Sequence, residues 1–142
     1  MADEFADMPD FLAELESGEL PAYVFDHRGH VFAAWAAMRL HGVERGAMRF
    51  RQALRRYTEH LGAMDKYHVT LTEALLHLVA YHLPEVDEAA GAWREQWRVY
   101  QQRAGSLLHS SHAALAPYYS AALIDTADAR RQFLLPDLAP LP

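Results

Sequence analysis

Residues 65–82 read DKYHVTLTEALLHLVAYH, and this stretch decides the fold. His68, Leu71, Leu75, Leu78, Val79 and His82 recur at three- and four-residue steps, the spacing of one helical face, and Pro84 ends the run. The pattern predicts a helix beginning near Asp65, with His68 in its first turn and turned toward an apolar core. Thr70 and Thr72 are β-branched, so they lower local helix propensity slightly while placing hydroxyls near the same end.

Working outward, residues 26–40 predict an earlier helix with Asp26 as N-cap and an inward face of His27, Val31, Ala34, Trp35 and Met38, His30 lying on the shoulder. Residues 43–61 carry a second stripe, Val43, Ala47, Phe50, Leu54, Tyr57 and Leu61, closed by Gly62. Residues 87–108 predict a fourth helix facing inward through Ala89, Trp93, Trp97, Tyr100 and Leu107 or Leu108. Further on, HSSH at residues 109–112 reads as a break, Tyr118-Tyr119-Ser120 as the end of a short turn, and residues 125–133 as one more short helix. The closing LLPDLAPLP is too rich in proline for a helix and predicts an extended tail packed through Leu134, Leu135, Leu138 and Leu141. No strand alternation occurs, so the class is all-α. Short connections make consecutive helices antiparallel neighbours, which predicts an up-down bundle of four main helices.

At 142 residues, half of them hydrophobic, the chain is long enough for one domain with a real core. The net charge of −6 is unevenly placed: residues 1–20 hold seven acids and no base, leaving twelve acids and thirteen bases for the remainder. This division sets an acidic N-terminal segment, residues 1–20, apart from a helical-bundle domain, residues 21–142. Phe5, Met8, Phe11, Leu12 and Leu15 within the segment space as one face of a short amphipathic helix, docked or lying loosely on the body. Arg45, Arg49, Arg51, Arg55 and Arg56 could suggest nucleic acid, but no aromatic interleaving accompanies them, and a solvated face near the acidic segment is the expectation instead. No apolar run reaches membrane-span length and no signal peptide is evident, which predicts a soluble cytoplasmic protein without membrane or nucleic-acid partners, a homo-oligomer being left open. With no cysteine, any metal must be held by imidazole, carboxylate or water.

The up-down order would gather His27, His30, His60, His68, His109 and His112, six of the nine histidines, at one end. His27 and His30 are three apart on one helical turn, and His68 enters the core from another helix. Three imidazoles with an open fourth position suit a catalytic Zn²⁺ and are acceptable to Fe²⁺ or Cu²⁺. The expectation is therefore a small metal-dependent enzyme acting on a small organic molecule, with His27, His30 and His68 as ligands. Lys66, Tyr67, Thr72 and Glu73 would supply proton transfer or substrate contacts. Glu73 and His77 also share ligand-like spacing but turn away from the stripe. The competing expectation is a non-enzymatic binding or interaction module whose histidines serve the core.

The strings HRGHVFAAW, KYHVTLTEALLHLV, YYSAALIDTADARRQF and PDLAPLP resemble those of a small family of bacterial proteins of about this length. The resemblance covers most of the chain from Phe25 onward, implies no activity, and marks His27, His30, Lys66, Tyr67 and His68 as pattern positions.

Overall fold

The computed structural model describes residues 8–83 and 92–142, and every regular element among them is helical. The order is α1 (Met8–Ser17), α2 (His27–His41), α3 (Val43–His60), α4 (Val69–His82), α5 (Trp93–Ala104), α6 (Ser111–Leu115), α7 (Ala121–Ile124) and α8 (Ala127–Arg131), with 3-10 turns at Ala22–Val24, Met64–Lys66 and Gly105–Leu108. Phe5 and the expected start of the fourth helix, residues 87–91, lie outside the described residues. None of the described helices is long and apolar enough to cross a membrane.

α2 is enclosed more fully than its sequence predicts. Its sequence predicts one inward face, but every residue from Val31 to Met38 is buried. Four alanines, Ala33, Ala34, Ala36 and Ala37, keep its outline thin, so neighbours approach from all sides. Phe11 of α1 meets Phe32 edge-on at 5.1 Å, and Trp97 of α5 packs on Phe32 at 4.9 Å and on Trp35 at 5.2 Å. Toward α3 the approach is closest at Gly46, where a Cβ would lie 2.5 Å from the Ala37 carbonyl oxygen and the Met38 Cα. Only glycine fits there. Gly42, at φ +87°, supplies the left-handed backbone that lets α2 stop and α3 begin one residue later.

The acidic segment is also more than a loose appendage in its described part. Phe11 and Leu15 are 6% and 0% exposed and belong to the main core with Leu20. Outside that apolar contact, Glu16 reaches Arg49 at 2.9 Å.

Local chemistry accounts for the short helices. Ser110, Ser120 and Thr126 each accept a backbone N–H three residues on, so α6, α7 and α8 each start on a side-chain cap. Ser120 thus begins a helix where the sequence suggested an end. No helix follows Arg131. The final segment is fastened by Leu141, which packs against the core, and by polar bonds: buried Thr70 Oγ1 donates to the Gln132 carbonyl at 2.7 Å and accepts from Leu134 N–H at 3.0 Å. Ser120 donates to Asp137 through both its N–H and its hydroxyl, whereas Leu135 and Leu138 are exposed. Trp93, expected inward, is 37% exposed, with its ring edge-on to Trp35 at 5.9 Å.

Candidate functional site

A cavity of about 420 Å³ opens between the start of α2, the second half of α3, the turn Met64–Lys66, the first half of α4 and Arg130 of α8. Apolar groups make most of its wall, among them Phe25, Val31, Phe50, Leu54, Leu71 and Leu75. Five of the seven residues singled out from sequence line it: His30, Lys66, Tyr67, His68 and Thr72. His27 and Glu73 do not.

The three imidazoles are not assembled as a ligand set, and their hydrogen bonds give the reason. His68 lies just before α4 and is its N-cap, the helix beginning at Val69 instead of near Asp65. Its Nδ1 accepts the Leu71 N–H at 3.1 Å, while Nε2 donates to the Ile124 carbonyl at 2.8 Å. Both ring nitrogens are engaged, leaving no lone pair for a metal. His27 turns the other way and donates from Nε2 to the Leu107 carbonyl at 2.6 Å, joining the start of α2 to the turn after α5. Among the described residues, no group of three or more His, Asp or Glu side chains is placed to hold an ion.

His30 is differently placed. Asp26 caps α2 by accepting the Gly29 N–H at 2.9 Å, and its carbonyl accepts from His30 Nδ1 at 2.8 Å. The ring stacks on Phe25 at 3.9 Å. With Nδ1–H engaged, Nε2 is left as a hydrogen-bond acceptor. Burial pushes the imidazole below its ordinary value of 6.5, outweighing the opposing hydrogen bond to Asp26, and the nearby His27 acts in the same direction as burial. His30 is therefore a neutral base at neutral pH.

Burial likewise raises the Tyr67 phenol, although the Arg55 guanidinium opposes the shift. That guanidinium lies over the Tyr67 ring at 4.5 Å. Tyr67 thus remains a donor. Thr72 contributes a buried hydroxyl, and Lys66 is exposed at the mouth. Glu73, expected to contribute to proton transfer, instead forms a two-pronged pair with Arg51 at 2.6 and 2.7 Å on a different face of α4. His77, its partner by spacing, bonds to the Pro142 carbonyl.

The sequence reading missed Phe25 and Arg130. Phe25 had a signal in its position next to the Asp26 cap, and Arg130 in the helix start at Thr126 that turns it toward the Met64–Lys66 turn. Four of the five α3 arginines have partners within the fold: Arg49 with Glu16, Arg51 with Glu73, Arg55 with Tyr67 and Arg56 with the Glu16 carbonyl. No family model, curated protein or solved structure matches the chain.

Proposed function

We propose that this protein binds a small organic molecule in the cavity between α2, α3 and α4, without a metal held by His27, His30 and His68. The observation that carries this reading is the composition of the cavity wall: an apolar pocket of small-molecule size onto which His30, Tyr67 and Thr72 bring one acceptor and two hydroxyls. Few, convergent polar groups in an apolar hole orient a ligand. The two occupied nitrogens of His68, and the absence of His27 from the cavity wall, favour this over the metal-dependent alternative. Phe25 against Tyr57 at 5.1 Å and Gly46 against Met38 support the up-down order of α2 and α3 that puts these groups at one end.

Turnover by proton transfer is a second reading, favoured by one observation, the neutral imidazole of His30 in a cavity wall that also holds the Tyr67 phenol. Binding comes first in either case.

The test uses a neutral environment-sensitive dye, N-phenyl-1-naphthylamine. Its fluorescence should rise saturably with about one site per chain, and Leu54→Trp, which fills the cavity, should abolish the rise while far-UV circular dichroism is retained. Leu71→Phe serves as a milder filling variant should the tryptophan disturb folding. Undiminished dye binding by a folded filled variant overturns the proposal.

A further inference from the structure

The cavity's charged groups are all of one sign and all on one side. Lys66 ends the Met64–Lys66 turn and Arg130 reaches over from α8, its Nη1 donating to the Asp65 carbonyl at 3.3 Å. That bond ties the guanidinium to the same turn as the ammonium. Among the described residues no aspartate or glutamate lines the cavity.

The surroundings reinforce the asymmetry. An adjoining surface cleft shares Tyr67 and Arg130 with the cavity and adds Arg55 and Arg131, with Asp65 as its one lining carboxylate. Arg131 is offset by Asp128 at 3.5 Å, and Arg55 is directed onto the Tyr67 ring. Lys66 and Arg130 therefore face an apolar hole without a lining carboxylate to balance them. Low-dielectric walls concentrate the field of such groups at the opening.

We infer that the ligand is an amphipathic carboxylate: a single anionic head placed at Lys66 and Arg130, and an apolar body running inward among Phe25, Phe50, Leu54 and Leu75. This rests on the small-molecule reading above. A cationic ligand would meet two like charges at the mouth and no carboxylate inside. A neutral ligand would fill the apolar part but leave the cations unused. His30, neutral and accepting, lines the same cavity and suits a hydroxyl or a second polar atom on the body.

The experiment measures displacement of N-phenyl-1-naphthylamine by octanoate, octan-1-ol and octylamine, each below the concentration at which it forms micelles. Octanoate should displace the dye at a concentration roughly tenfold lower than octan-1-ol, and about 0.5 M salt should narrow that gap by screening the exposed cations. The double variant Lys66→Gln/Arg130→Gln should bring octanoate to the octan-1-ol value, each displacement being scaled to the dye affinity that the variant itself shows. If the dye does not bind, or binds a filled cavity equally well, the small-molecule reading itself fails. If the dye binds in the cavity but the three octyl compounds compete equally, or octylamine competes best, the carboxylate assignment alone is overturned. Octyl phosphate displacing the dye better than octanoate overturns the single-charge head. A double variant that keeps the octanoate preference places the anion elsewhere and overturns the assignment as well.

Discussion

His68 donates its Nε2–H to the carbonyl of Ile124 at 2.8 Å, bridging the start of α4 to the end of α7 while its other nitrogen caps α4. A side chain used twice in this way is costly to remove. His68→Ala leaves the Leu71 N–H and the Ile124 carbonyl to find new partners, and should destabilise the protein by about 1 to 3 kcal/mol. Denaturant unfolding of parent and variant, each with and without a chelator, checks it: the loss should be the same in both conditions. A chelator-dependent loss confined to the parent would return His68 to the list of metal ligands.

His30 gives stability a defined pH dependence. Its folded pKa lies below the unfolded value because burial penalises the imidazolium. As the pH falls, the unfolded chain takes up the proton first, so stability is complete above the unfolded value of about 6.5, declines as the pH drops through it, and levels off below the folded pKa. His30→Gln should flatten that part of the decline. Denaturation midpoints at about pH 7.5 and about pH 5 in both proteins give the comparison, and an unchanged pH slope in the variant would contradict the assignment.

Leu15 is fully buried on α1, so the acidic segment should matter to the fold itself. Leu15→Ala should cost about 2 to 5 kcal/mol, the usual range for a buried leucine. Removing residues 1–18 takes Phe11 with it and should lower the melting temperature far more than an ion-pair loss would. A deletion variant melting within a few degrees of the parent would show that α1 is dispensable.

Thr70 should control the closing segment. Thr70→Val keeps the shape but loses both bonds to Gln132 and Leu134, at a cost of about 1 to 3 kcal/mol for the buried partners left unmet. Limited trypsin digestion should then cut faster after Arg130 or Arg131 than in the parent. Equal cutting rates would mean that the Asp137 contacts with Ser120 hold the segment unaided.

How far the sequence reaches can be seen at the cavity. His30, Lys66, Tyr67 and Thr72 could be singled out from periodicity and spacing, and all four line the cavity between the start of α2, the second half of α3 and the first half of α4. The role of His68 was not. Periodicity places an imidazole at a helix start but does not say whether its lone pair turns outward to a ligand or back to the helix's own N–H. His27 and His30 share a turn, yet rotation of about 100° per residue leaves one facing Leu107 and the other facing Phe25. The enclosure of α2 was hidden for a different reason. Alanine is permitted on either side of a helix, so a run of alanines does not reveal how many neighbours surround it. Arg130 lies 62 positions after His68 in the chain, and only the packed α8 brings it to the same opening.

The enclosure of α2 has a consequence for how the molecule opens. Beyond the cavity that Val31 lines, a helix sheathed by α1, α3 and the aromatic residues of α5 gives water little access without dismantling a neighbour. Its amide protons between Phe32 and Ala37 should then exchange with solvent only when the whole chain unfolds. Fraying at α7 or α8 leaves them untouched. Their exchange rates in deuterated water become an internal gauge of global unfolding, readable in the native protein without denaturant.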